Sequence, residues 1–278
     1  MLTSRVLPLL LLLPLTMSQE DCTDPLAKCV IRAMDKMISD HVAWDNKTAW
    51  TAIMEEFFTE DMIYDTNYSP DENLGNSTGI EDWYYKEHIP FNLAFDNVTF
   101  SQLIFASEEK YATTTTYGKG RWKGDIATVP GSQRIGEEVT IRIYDFYIMR
   151  DDKIFYNWML LDMVELMYEA GYRVLPKARL PEGWVQAPAA MDGIPAPISR
   201  LVNHSLNPLS VAMAEEVLTF DLVTGTSTAS PLWAADMRWY GPFGIGYAEN
   251  RELYTEHFLM PLREAFSETV GGGGNQGT

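Results

Sequence analysis

The sequence predicts an α+β fold: a cone-shaped, curved antiparallel sheet wrapped around N-terminal helices. Three observations predict it. Ala27, Val30, Ile31, Met34, Met37, Ile38 and Val42 recur at helical spacing, as do Trp50, Ile53, Met54, Phe57 and Phe58. From Val98 onward, runs of β-branched and aromatic residues alternate with polar turns. Met163 to Ala170 then reads as a closing helix, stopped by Gly171.

Residues 1–18 read as a signal peptide, with Arg5 before a leucine-rich core and small residues at a cleavage point. The apolar run is too short to span a bilayer, so the mature chain is expected to be secreted and extracellular. Five N-x-[ST] triplets, at Asn46, Asn67, Asn76, Asn97 and Asn203, agree with a glycoprotein. Cys22 and Cys29 are the only cysteines and are expected to bridge in an oxidising compartment. The net charge of −18 argues against nucleic acid and anionic membrane as partners. That acidity reads as a solvated surface, with weak calcium or mineral-surface binding as the alternative.

The first helix is expected to run from about Pro25 to Trp44, and the second over Thr48 to Phe58. Asp61 to Asp65 reads as a short strand, and Ser69 to Gly79 as a polar loop. A third helix, about Ile80 to Phe95, should kink at Pro90. Strands follow over Val98 to Ala106, Tyr111 to Trp122 and Glu138 to Met149. The last of these forms a hairpin through a turn at Arg150-Asp151-Asp152-Lys153. Pairing across that turn sets Met149 opposite Ile154, Tyr147 opposite Tyr156, Asp145 opposite Trp158 and Ile141 opposite Asp162. On this register Asp145 and Asp162 share a greasy face with Trp158, Tyr156 and Tyr147, which predicts an apolar pocket holding two carboxylates. The other hairpin face is apolar too, so another part of the chain or a second subunit should cover it; a homodimer through the sheet is expected.

Residues 25–172 form the first unit, and the proline-punctuated stretch 173–208 reads as a linker. A repeat follows over 209–270, before a Gly-rich tail at 271–278. The pattern P-x-x-x-A-F closes the third helix at Pro90 to Phe95 and recurs at Pro261 to Phe266. The second unit has helices but no sheet.

Three stretches are similar to the SnoaL-like polyketide or ester cyclases of the nuclear-transport-factor-2-like superfamily. They are Trp239-Tyr-Gly-Pro-Phe-Gly-Ile-Gly246 with Tyr254, His257, Pro261, Ala265 and Phe266; the hairpin Asp145 to Ile154; and Asn157-Trp-Met-Leu-Leu-Asp162 running into Met167. The resemblance implies a ligand pocket and acid–base ring closure without metal or cofactor. The sequence departs from the pattern in two places. The W-Y-G-P-F-G-I-G element lies in the unit without a sheet, and the histidine before the helix proline is His257 there. In the first unit that position is Lys86, with His88 two residues closer.

The resemblance makes Asp162 the acid–base candidate; the spacing Asp162-x-x-Glu165 makes it equally an N-cap for the closing helix. Asp145 is the second carboxylate of the pocket, or one satisfied by a tyrosine or an indole N–H. His88, and Tyr85 on the same helix, complete the candidates. No metal-ligand spacing is present, and no cofactor is implied. The expected partner is a small hydrophobic carbonyl compound, bound or cyclised or isomerised. The alternative is a non-catalytic acidic matrix protein that uses the fold for dimerisation and ion or surface binding.

Overall fold

The computed structural model describes residues 26–41, 46–68, 75–182, 207–224 and 228–270. Helix α1 (Leu26–His41) buries Ala27, Val30, Ile31 and Met34, one stripe at helical spacing. Helix α2 (Lys47–Phe57) begins where the Asn46 side chain accepts the Ala49 N–H at 3.1 Å, and it buries Trp50, Ile53, Met54 and Phe57. It runs without a loop into β1 (Phe58–Thr66), and β2 (Asn76–Thr78) pairs back on β1. Next come α3 (Ile80–Trp83), a π-helical turn (Tyr84–His88) and α4 (Ile89–Ala94). The kink expected at Pro90 is this π turn. The Ile89 N–H reaches the Tyr84 carbonyl five residues back, and Pro90, which has no N–H to donate, falls at the start of α4.

Strands β3 (Phe95–Glu108), β4 (Tyr111–Trp122), β5 (Glu138–Arg150) and β6 (Lys153–Leu161) complete a six-stranded sheet of order β2–β1–β6–β5–β4–β3. Every pairing is antiparallel except β1 with β6. Register shifts in β3, at Asp96/Thr99 and Gln102/Ile104, mark bulges that bend the sheet around the helices. Helix α5 (Met163–Glu169) closes the unit, and Gly171 follows it at φ 95°.

The hairpin register differs from the expected one. Met149 pairs with Ile154 as the turn dictates, but Ile148 then pairs with Tyr156, so Phe155 is an extra residue on β6. Beyond that bulge every β6 side chain changes face. Asp145 lies opposite Met159 rather than Trp158, and Ile143 lies opposite Leu161. Asn157, Met159 and Leu161 turn inward, while Tyr156, Trp158 and Leu160 turn outward.

Part of the outer face is covered from within the chain. The second unit contains α6 (Asn207–Thr219), a π turn (Phe220–Thr224), β7 (Trp239–Tyr240), β8 (Tyr247–Ala248), α7 (Arg251–Tyr254), another π turn (Thr255–Leu259) and α8 (Met260–Val270). Its own small core joins Ala229, Met237, Ala248, Tyr254 and Leu259, and Leu180 from the preceding segment packs among them. The repeat seen in the sequence is also structural. Helix, π turn and helix recur at a constant offset of 171 residues, from Tyr84–His88 to Thr255–Leu259. The stacked Tyr64–Trp83 pair of the first unit has its counterpart in Trp239 and Tyr254, 5.4 Å apart.

The Trp239–Gly246 motif is the piece that docks on the first unit. Gly241 accepts a hydrogen bond from Arg142 Nη1 at 2.9 Å, and the Phe243 ring packs on Tyr168 at 4.8 Å. Arg142 is buried and forms an ion pair with buried Glu165 at 3.2 Å. Burial pushes the Glu165 carboxyl up to about 8, against the pull of Arg142.

Candidate functional site

A cavity of about 500 Å³ opens between the helices and the concave face of the sheet. Its apolar walls include Trp50, Met54, Phe58, Trp83, Phe91 and Met159. Onto them project three carboxyl groups, one imidazole and three tyrosines: Asp35, Glu87, Asp145, His88, Tyr64, Tyr68 and Tyr147.

Asp145 is held by the sheet. Its Oδ1 accepts from Asn157 Nδ2 at 3.1 Å, and its Oδ2 accepts from Thr114 Oγ1 at 3.4 Å. Thr114 is its direct neighbour on β4, and the Tyr147 hydroxyl supplies a further hydrogen bond. These donors favour the carboxylate, but burial outweighs them and carries the group up to about 6. Asp35 approaches from α1. Gln102 Nε2 on β3 donates to Asp35 Oδ2 at 2.6 Å. Burial first, and the Asp145 charge second, push Asp35 up to about 7. The two carboxyls therefore influence each other, and near neutrality one holds a proton more readily than the other. Burial likewise drives the hydroxyls of Tyr64, Tyr68 and Tyr147 well up, so they remain protonated donors.

Glu87, 1% exposed, lines the same cavity, and its charge helps to hold the Tyr68 hydroxyl well up. The π turn delivers it. Tyr84, Glu87 and His88 all point into the unit from that widened turn. Around it the aromatics interlock: Trp50 meets Trp83 edge-on at 4.9 Å, Tyr64 stacks on Trp83 at 4.6 Å, and the His88 ring lies 4.4 Å from Trp50. Asn92 Nδ2 is 3.0 Å from His88 Nε2. Tyr64 and Tyr68 each sense the charges of both Asp145 and Glu87.

Of the residues singled out in the sequence, the cavity gathers Asp145, His88 and Tyr147. Asp162 is elsewhere: its Oδ1 accepts the Glu165 N–H at 3.1 Å and caps α5, and its Oδ2 accepts the Phe243 N–H at 2.8 Å. The expectation that it shares a face with Asp145 is corrected by the bulge at Phe155. The same bulge removes Trp158 and Tyr156 from the pocket. Trp158 is 46% exposed on the outer face, and the Tyr156 hydroxyl donates to Asp65 Oδ2 at 2.5 Å. Tyr85 is exposed as well, its hydroxyl accepting from Lys47 Nζ at 2.8 Å. Asp35, Glu87 and Gln102 were not among the candidates, and Asn157 stood only as part of the strand motif. Asp35 had a signal: it stands four residues after Ile31 on the buried stripe of α1. Glu87 had one too, three residues after Tyr84 and four before Phe91.

Among the proposed glycan acceptors, Asn46 caps α2 and Asn97 has φ 52° on β3. Asn76 Nδ2 donates to Asp65 at 2.6 Å. The Asn67 amide gives to the Leu161 carbonyl at 2.9 Å and accepts from its N–H at 2.8 Å. Asn203 and Cys22 lie outside the described residues. Among the described residues no His, Cys, Asp and Glu cluster is arranged to hold a metal ion, and no helix is long and apolar enough to cross a membrane.

No family model and no curated protein matches the chain. Solved structures do. A SnoaL-like protein from Jannaschia sp. CCS1 is 13% identical, with a TM-score of 0.42 over 53% of this chain and 94% of that one. A SnoaL-like polyketide cyclase from Agrobacterium tumefaciens str. C58 is 14% identical, with a TM-score of 0.40 over 52% and 97%. An NTF2-like protein from Burkholderia xenovorans LB400 is 10% identical, with a TM-score of 0.36 over 51% and 92%. The structural neighbours are thus SnoaL-like and NTF2-like proteins, similar in fold to about half of this chain.

Proposed function

We propose that the first unit catalyses proton transfer on a small hydrophobic carbonyl compound, using its own carboxyl groups as base and acid. One observation carries this reading. Two carboxyls of one cavity, Asp145 and Asp35, are poised at about 6 and about 7. Groups titrating close to neutrality are suited to give and take protons there. Asp145 is the base, because its hydrogen bonds from Asn157 and Thr114 steady the ionised form. It removes a proton from the carbon beside the carbonyl. Asp35, the acid, gives its proton to the carbonyl oxygen as negative charge develops there, leaving an enol. Where the enol is conjugated with a carbon–carbon double bond, Asp145 returns its proton to the far carbon while the enol O–H proton passes back to Asp35, which isomerises the compound. Where a second carbonyl is in reach, the enol carbon attacks it, the enol O–H proton passes back to Asp35, and protonated Asp145 gives its proton to the new alkoxide, which closes a ring. Tyr147, kept protonated by burial, holds Asp145 in place. The apolar walls exclude water and strengthen each of these interactions.

The test is hydrogen–deuterium exchange at the α-carbon of cyclic ketones in D2O, followed by proton NMR. The wild-type chain should exchange at least one ketone faster than buffer, and D145N should lose the acceleration by roughly 100-fold or more. Equal rates in wild type and D145N would overturn the assignment.

The compartment belongs to the same proposal. The leader-like residues 1–18 and the N-x-[ST] triplets support a secreted glycoprotein, checked by expression in a secretory host and a glycosidase mobility shift. A second reading, a non-catalytic extracellular protein that dimerises through the sheet, is favoured by one feature. Tyr111, Phe146 and Trp158 are exposed across three neighbouring strands of the outer face. Light scattering of wild type and W158E decides that point.

A further inference from the structure

We infer that Gln102 is a positioning residue of the cavity: its side-chain amide holds the Asp35 carboxyl by one oxygen, Oδ2, and so makes the other, Oδ1, the atom that carries and gives the proton. The inference rests on Asp35 being the acid of the site and adds the residue that aims it. The amide and the carboxyl come together across 67 residues of chain, Nε2 donating to Oδ2 at 2.6 Å, and both side chains line the cavity. A bulge brings the amide there. Gln102 pairs with Thr116 and Ile104 with Thr115, which leaves Leu103 as an extra residue on β3. Such a bulge re-aims the side chains beside it, and here Gln102 reaches from the sheet to α1. The helix is fastened by other means: its buried stripe packs on the core, and the Ala27 N–H gives to the Glu109 carbonyl at 3.2 Å. The contact with Gln102 therefore serves the carboxyl rather than the helix. Asp145 is held in the same manner, by the Asn157 amide at 3.1 Å. Each of the two carboxyls has its own amide from the sheet.

The chemistry of a carboxylic acid gives the rest. Its two oxygens differ: one is a carbonyl-type acceptor and the other carries the O–H. An amide N–H seeks the acceptor, so the proton resides on Oδ1. When the Oδ1–H bond breaks, the proton passes to the carbonyl oxygen of the ligand and the electron pair stays behind. The new charge spreads onto Oδ2, where the amide N–H already stands. A hydrogen bond to a charged oxygen is stronger than one to a neutral oxygen, so the amide helps the proton to leave. Burial and the Asp145 charge act in the other direction and hold the proton on. The titratable groups that share the cavity with Asp35 are Asp145 and Tyr147 on β5, Glu87 and His88 on the π turn, Tyr64 on β1, and Tyr68. On α1 itself, Lys28 and Arg32 lie over the Phe105 ring.

The experiment uses the full chain with 13C-labelled aspartate carboxyls and 15N-labelled glutamine, titrated by NMR in wild type and in Q102M, with D35N to identify the Asp35 signal. In wild type the Gln102 side-chain N–H signals should move with the same midpoint as the Asp35 carboxyl. In Q102M the Asp35 midpoint should rise by about one pH unit or more while that of Asp145 stays. The alkaline limb of ketone exchange should rise with it, and the rate at the wild-type optimum should fall roughly tenfold. A Gln102 amide indifferent to the titration of Asp35 would overturn the inference. So would a folded Q102M that melts earlier yet leaves the Asp35 midpoint where it was, which is the result a purely structural tie would give. If Q102M fails to fold, the wild-type amide signals decide alone. Ketone exchange in wild type with no coupling between Gln102 and Asp35 would sink this inference and spare the catalytic reading. Coupling and a raised midpoint without any ketone exchange would do the reverse.

Discussion

Phe243 donates its backbone N–H to Asp162 Oδ2 at 2.8 Å, across 81 residues of chain. The other oxygen of Asp162 caps α5, so a single carboxylate fastens both the closing helix and the second unit. Asp162→Ala is expected to cost about 2 kcal/mol, the upper end for loss of an N-cap, since a second hydrogen bond goes with it. Urea denaturation measures the loss, and faster amide exchange at Phe243 localises it. Ketone exchange in the cavity should continue at the wild-type rate.

The rate of that exchange should be bell-shaped in pH. Asp145 must be ionised and Asp35 protonated, so the profile rises near pH 6 and falls near pH 7. A profile that keeps climbing past pH 8 would exclude Asp35 as the acid.

Stability should move with pH in the opposite sense to ordinary acid denaturation. Asp35 and Asp145 are both raised above the usual carboxyl range, so the folded chain binds protons that the unfolded chain has released. Their contribution is complete below about pH 4, the ordinary carboxyl value, and is lost as pH rises through about 6 and 7. Thermal melts should therefore give a higher Tm at pH 5 than at pH 8. Asp35→Asn should flatten the slope and raise Tm at pH 8 while abolishing catalysis.

Gly246 has φ 97°, and a Cβ there would stand 2.6 Å from the Pro181 carbonyl oxygen. Gly246→Ala is expected to cost about 1–3 kcal/mol and to loosen the second unit from residues 180–181. Limited proteolysis should cut the variant in that region before the first unit is touched.

The Arg142–Glu165 pair is buried on both sides. Arg142→Met strands Glu165 and is expected to cost about 3–5 kcal/mol, whereas R142M/E165L together should recover most of the loss. Chemical denaturation of the two variants side by side checks this.

The fold class was legible because helical and alternating periodicities separate cleanly along the chain. The two-residue turn at Asp151-Asp152 was legible as well, and Asp151 adopts φ 59° there. Asp145 and Tyr147 could be placed on one inward face from strand alternation, whereas His88 stood only as a candidate on the third helix. The register beyond Met149 could not, because a bulge leaves the composition of a strand unchanged while reversing its faces. Asp35 and Glu87 were hidden for another reason. On a helix an acid reads as solvated unless its position on the apolar stripe is checked, and burial of an acid is what a site requires. Asp162 was ambiguous in sequence, since a capping carboxylate and a pocket carboxylate occupy the same spacing before Glu165. The W-Y-G-P-F-G-I-G motif announced itself without its purpose. Gly244 lies against Val164 and Leu175, and Gly246 against Leu180 and Pro181, a fit that no local pattern reveals.

Phe155 alone separates the two acids of the hairpin. With it, β6 changes face beyond the turn, so Asp162 turns toward anchorage while Asp145, set by β5, stays on the side of chemistry. Deleting that one aromatic would bring Asp162 back to the face of Asp145, sending Trp158 into the hollow and Asn157 out to solvent. A reaction chamber and a mooring point would be lost together, though no atom of either had been altered.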